Sequence, residues 1–142
     1  PVFAAPHPSI VIAGPGVSVL VKEGEYSMGI GCRKNIGRDE VLAAIRSAIA
    51  DAGIAAEEIM IYATTEKKMQ EKGLKEAVDA MAGTLLFLDD AVLSEYPPQS
   101  PSGAGRIGLA GGAEPCALAS SRRRELVLPK RVYGGVTIAI AR

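Results

Sequence analysis

The chain has 142 residues and a mass of 14.7 kDa, the size of one domain. Hydrophobic residues make up 48% and charged residues 23%, which excludes a disordered polymer. Sixteen Lys and Arg offset sixteen Asp and Glu, and aromatics are 4%, so neither a strongly basic nucleic-acid module nor a base-stacking surface fits.

Residues 1–26 read as an extended, turn-rich connector. Pro1, Pro6, Pro8 and Pro15 punctuate it, and Ile10–Ile12 and Val17–Val21 are short strand candidates. The chain begins at Pro1 and not at Met, so this stretch is expected to be the remnant of a preceding domain. Tyr26–Gly31 looks like a buried strand running into a loop. Residues 39–52 form the clearest helix, with Val41, Leu42, Ile45, Ala48 and Ile49 on one stripe. Asp39 is the expected N-cap and Gly53 the left-handed stop.

Ile59–Ala63 is the next strand, followed by a helix over about 72–82 with Leu74, Ala77, Val78 and Met81 on one face. Thr84–Leu88 is a third strand, and Asp89–Asp90 can cap a short helix ending near Ser94. Tyr96–Gly103 carries too much proline for regular structure, and glycines keep the residues up to 112 pliable. Ala113–Ser120 suits a short helix with Pro115 in its first turn. Glu125–Leu128 and Val136–Ala141 are two last strands, with Gly134–Gly135 as a tight turn before the second.

Alternating strands and helices imply parallel strands joined by crossovers, and continuous apolar runs imply a sheet covered on both faces. The expected fold is a three-layer α/β/α sandwich over residues 27–142. Its sheet is mostly parallel but mixed, with one antiparallel neighbour supplied by the Gly134–Gly135 turn.

Such sheets bind ligands outside the carboxyl ends of their strands. Three loops should meet there: Gly31-Cys32-Arg33-Lys34-Asn35, Thr64-Thr65-Glu66-Lys67-Lys68 with Glu71 beyond, and Asp89-Asp90. They would form a cation-lined cradle suited to an anionic ligand. Gly29-Ile30-Gly31 allows close backbone approach, but Lys34 stands where a dinucleotide fingerprint needs its third glycine, and no GK[ST] follows. Arg33 can grip a carboxylate in a fork, yet Arg33 and Lys34 read equally well as solvated charges. Cys32 reads as a small packed residue, since no histidine is near it in sequence to act as base. Lys68 and Glu71 would share a helical face if the second helix starts early, and a surface ion pair is the plain alternative. Arg122–Arg124 reads as a solvated charge run and Cys116 as core.

Two cysteines and one histidine, His7, make a poor set for a protein-held zinc site or a histidine-based triad. No apolar run reaches the roughly 18 residues that span a bilayer, and no signal peptide is visible. A cytoplasmic location is expected. The residues alone stop at a small α/β domain with an anion-seeking rim, and they name no reaction.

Four blocks resemble the family formed by the C-terminal domain of CbiG and the small protein CobE, which belongs to cobalamin biosynthesis. Gly29-Ile30-Gly31-Cys32-Arg33-Lys34 is similar to its opening, and Ala63-Thr64, Lys68, Glu71, Gly73 and Leu74 to its second block. Pro101-Ser102, Gly108, Glu114, Ala117 and Leu118 follow the third block, and Leu126-Val127, Lys130 and Val136–Arg142 the closing one. The family commonly carries a basic residue where Val132 stands, a polar one where Gly135 stands, and an Ala-rich helix around Pro115-Cys116.

The resemblance implies a corrinoid (tetrapyrrole) intermediate as ligand, an apolar macrocycle edged with carboxylates. It implies the chemistry of cobalt-precorrin-5A hydrolase, a hydrolase acting on carbon–carbon bonds. There the δ-lactone of the precursor is opened and a two-carbon unit leaves as acetaldehyde. Glu71 is then the expected base and Lys68 its electrostatic partner. Gly29, Gly31, Cys32, Arg33, Lys34, Thr64 and Lys130 are the expected substrate-binding residues. Attack on the lactone by the Cys32 thiol is an alternative. No cofactor is expected, because any cobalt travels with the substrate. Other domains of a parent CbiG-type chain are expected partners, and neither nucleic acid nor membrane is. The alternative within the family is a corrinoid-binding carrier, like CobE, without chemistry. A generic nucleotide- or phosphate-binding domain is a third alternative.

Overall fold

The computed structural model describes residues 24–97 and 112–142, and residues 9–13 as backbone. The strand expected at Val17–Val21 and the loop glycines up to Gly111 lie outside the described residues. Among the described residues, six strands and four α-helices follow one another as β1 (Ser9–Ala13), β2 (Tyr26–Cys32), α1 (Arg38–Ala52), β3 (Ile59–Thr65), α2 (Lys72–Ala80), β4 (Thr84–Leu88), α3 (Asp90–Leu93), α4 (Ala113–Ser120), β5 (Leu126–Tyr133) and β6 (Val136–Ala141).

The strands form one sheet in the order β1-β4-β3-β2-β6-β5. β1, β4, β3 and β2 run parallel, as crossover connections through α1 and α2 demand. β6 runs antiparallel to both β2 and β5. The mixed, mostly parallel sheet is therefore as expected, and the Gly134–Gly135 turn makes the hairpin, with Gly134 at φ 64. The stretch read as a connector supplies β1 at the far edge of this same sheet, beside β4.

Helices cover both faces. On one side Val41, Ala44, Ile45, Ala48 and Ile49 of α1 and Leu74, Ala77 and Val78 of α2 are buried on Met28, Ile30, Tyr62, Phe87, Ile138 and Ile140. On the other side α4 seats Cys116 against Ile61, Ala63 and Leu86, and Ala113 and Ala117 against Ala139 and Ala141. β3 and β4 are buried on both faces, which is why their apolar runs do not alternate.

Element ends show where local chemistry decided matters. Gly53 ends α1 at φ 70, its N–H donating to the Ala50 carbonyl. Asp39, however, is not the cap. α1 begins one residue earlier, Gly37 holds the N-cap position without a side-chain acceptor, and Asp39 sits in the first turn paired with Arg38 at 3.1 Å. Asp89 does cap α3, its Oδ1 accepting the Val92 N–H at 2.9 Å. β5 continues through Pro129 to Tyr133, with a register irregularity between Leu128 and Arg131. Proline is tolerated because β5 is an edge strand.

Candidate functional site

The carboxyl ends of β2, β3 and β4 are neighbours, so their loops share one rim. The turn before β6 joins them, because Cys32 pairs with Val136. Lys67 and Asp90 bridge the β3 and β4 loops at 3.6 Å. The expected convergence of the turns carrying Arg33, Lys68 and Asp89 is what the sheet order produces.

Glu71 is the most enclosed acid on this rim, 8% exposed. It stands at the N-cap of α2, and its own N–H donates to the Lys68 carbonyl at 3.0 Å. α2 does not start early, so Lys68 and Glu71 are linked by this backbone turn and not by a helical face. The Glu71 side chain reaches across to the β2 loop, where Oε1 accepts the Asn35 N–H at 2.8 Å. Asn35 has φ 58, a conformation asparagine tolerates better than most residues. Gly73 completes the joint: a Cβ there would run into the Ile36 carbonyl oxygen. A cleft of about 420 Å3 opens between Asn35, Gly37, Arg38, Gln70, Glu71 and Lys72.

Cys32 lies beside this joint. Burial pushes its thiol above the ordinary value of 9.0; Lys68 and Arg33 pull the other way and Glu71 adds to the rise, but burial prevails. The thiol is thus protonated near neutrality, which argues against Cys32 as a lactone-attacking nucleophile.

Arg33 is 58% exposed at its side chain and donates from Nη2 to Glu40 Oε1 at 2.7 Å. Lys34 and Lys68 form no ion pair among the described residues. Gly31 faces Thr137, whose hydroxyl lies 3.4 Å from the Gly31 carbonyl.

Three expected binding residues are not brought to this surface. Gly29 lies under α4, where a Cβ would run into the Ala113 carbonyl oxygen and stand 2.6 Å from Ala117 N; its missing side chain serves helix–sheet packing. Thr64 is fully buried and donates its hydroxyl to the Ile30 carbonyl at 2.8 Å, tying β3 to β2. Lys130 sits in the irregular part of β5, between the residues opposite Ile138 and Ile140, and its N–H donates to Glu114 Oε2 at 2.9 Å.

The structure also adds residues. Asn35, Glu40 and Gly135 shape the rim, and Glu114, 1% exposed, is a buried acid beneath the hairpin. An asparagine just before a helix was a usable hint of a left-handed turn. Nothing local marks Glu40 as part of the rim, because its second partner, Gly135, is distant in sequence. Among the described residues, no cluster of three or more His, Cys, Asp or Glu could hold a metal ion, and no helix is long and apolar enough to cross a membrane.

Fold and rim together define a three-layer α/β domain with a cation-bearing rim at the carboxyl ends of its parallel strands. Its relatives give that class a family: the profile described as "Cobalamin synthesis G C-terminus" matches residues 26–141, and the chain belongs to this cobalamin-biosynthesis family. A cobalt-precorrin-5A hydrolase of Priestia megaterium is 25% identical over 150 residues, covering 97% of this chain. The chain spans 40% of that relative's length. Protein CobE of a Sinorhizobium species is 29% identical over 119 residues, covering 80% of this chain and 77% of the relative. The crystal structure of CobE, "a protein from the cobalamin (vitamin B12) biosynthetic pathway", matches with a TM-score of 0.74 and 28% identity, covering 91% of this chain and 96% of that one.

Proposed function

We propose that the domain binds a carboxylate-edged corrinoid intermediate at the carboxyl rim of its sheet and serves the opening of the δ-lactone of cobalt-precorrin-5A, with release of acetaldehyde. The observation that carries this is the rim itself. Arg33, Lys34 and Lys68 stand on adjoining loops, and among the described residues the two lysines are without a paired carboxylate. A macrocycle edged with acids needs several separated cations more than one deep pocket. Cobalt, where present, arrives with the substrate.

For the lactone step, Glu71 takes a proton from the attacking water, and Lys68 stabilises the charge that develops on the carbonyl oxygen. The Asn35 N–H engages one Glu71 oxygen, the other has no hydrogen-bond partner among the described residues, and Glu71 lines the cleft. A second reading is a carrier without chemistry, set beside the first by the likeness to CobE at a TM-score of 0.74 and 28% identity.

Two measurements separate the readings. Titration of the chain with cobyrinic acid, a cobalt corrinoid with free carboxylate side chains, should shift the corrinoid absorption spectrum and weaken as salt is raised. No binding at low salt overturns the proposal. Acetaldehyde release from cobalt-precorrin-5A is expected under the hydrolase reading; binding without release leaves the carrier.

A further inference from the structure

One acid on the rim is already held as a ligand's acid would be. Glu40, in the first turn of α1, accepts from Arg33 Nη2 through Oε1 at 2.7 Å and from the Gly135 N–H through Oε2 at 2.9 Å. Each carboxylate oxygen therefore has its own donor, a guanidinium and a peptide N–H.

The donors are fixed to one another without Glu40. The Arg33 N–H donates to the Gly135 carbonyl at 3.0 Å, next to the Cys32–Val136 pair that ends the β2–β6 ladder. The Arg33 side chain lies across the turn so closely that a Cβ at residue 135 would stand 2.6 Å from its Nε. Glycine at 135 thus lets the guanidinium and the peptide N–H address one carboxylate. The occupant is loosely bound by comparison: Arg33 is 58% and Glu40 38% exposed, and an exposed ion pair is weak. Once displaced, Glu40 still has a partner, because Gly37 at the N-cap of α1 offers no side-chain acceptor and the first-turn N–H groups favour a nearby carboxylate.

We propose that the Arg33 guanidinium and the Gly135 N–H form a carboxylate subsite for a peripheral acid of the corrinoid, and that Glu40 fills it as an internal competitor in the unliganded domain. This rests on the reading that an acidic corrinoid binds this rim. The alternative is that Glu40 is a clip that holds Arg33 ready, and the two differ in sign.

The test titrates the full chain with cobyrinic acid and follows the Gly135 amide by 1H–15N spectroscopy. Glu40→Gln should bind about two- to fivefold tighter, the range set by the strength of an exposed ion pair. Glu40→Asp, which keeps the charge but draws the carboxylate back by one methylene, should move affinity the same way. The gain should vanish when Arg33→Ala is added, and the Gly135 amide should shift on binding. Wild-type binding with both Glu40 variants equal or weaker overturns the competitor and leaves the proposed function standing. No binding by the wild type or either variant overturns both.

Discussion

Glu71 holds the β2 loop in the structure and is the base in the proposed function, and two substitutions pull these roles apart. Its Oε1 fixes the β2 loop by accepting the Asn35 N–H at 2.8 Å, from a side chain only 8% exposed. A hydrogen bond to a charged group contributes about 1.5–3 kcal/mol. Glu71→Ala removes the acceptor and leaves Asn35 in its left-handed conformation without the contact that holds it. For a chain of this length each kcal/mol moves Tm by roughly 2–4 °C, so Glu71→Ala should lower Tm by about 3–12 °C. Glu71→Gln keeps an acceptor oxygen at the same reach, so it should retain most of that Tm while losing lactone opening. Calorimetry gives the first comparison and acetaldehyde release the second, with exchange of the Asn35 amide as a local reporter. Equal Tm for Glu71→Ala and wild type, with unchanged Asn35 protection, would refute the anchoring role. Undiminished acetaldehyde release by Glu71→Gln would refute the base.

Other outcomes follow from features away from the rim. Gly29→Ala puts a methyl into the α4 backbone and should cost about 1–3 kcal/mol in denaturant titration, with corrinoid affinity changed little; unchanged stability would mean α4 is not seated on β2. Tyr62→Phe should match or exceed wild-type stability, because among the described residues its buried hydroxyl has no hydrogen-bond partner and leaving one unmade is costly; a clear loss would show that the hydroxyl is bonded. Burial raises the Cys116 thiol, and raises the Tyr62 phenol to about 12, above their ordinary values of 9.0 and 10.0. The folded form therefore resists their deprotonation, so this stabilisation is complete below about pH 9 and fades as pH rises from there toward 12. Melting temperatures taken across pH 8–11 should hold level and then fall, more gently in Tyr62→Phe. At pH 8, iodoacetamide should alkylate Cys32 more slowly than a free thiol, since burial raises it too.

Much of the fold was legible because it depends on local rules. The stripe of Val41, Ile45, Ala48 and Ile49 marks a helix, Gly53 its end, and the continuous Thr84–Leu88 run a doubly covered strand. Rules that depend on tertiary neighbours misled. Gly29-Ile30-Gly31 allows close approach of a neighbour or of a ligand; its first glycine admits α4, and only the three-dimensional packing distinguishes the two uses. Lys68 and Glu71 are three apart, yet Glu71 reaches forward to Asn35 because the chain turns once more before α2 begins. Arg33 and Glu40 are close in sequence, but Gly135, which makes their contact a subsite, arrives only through the β6 strand. The strand expected over Glu125–Leu128 runs on through Pro129 to Tyr133, because β5 lies at an edge, which nothing in the sequence says.

The place of β6 carries a consequence for how the chain reaches its native state. An interior strand of the sheet, β2, finds one of its two partners in the last strand described, with Ser27 opposite Ala141. Until that final stretch leaves the ribosome, β2 has an open flank, and Ile138 and Ile140 are missing from the wall on which α1 and α2 rest. Closure across so wide a span is entropically slow, so assembly should wait for synthesis to pass β6 and not proceed strand by strand.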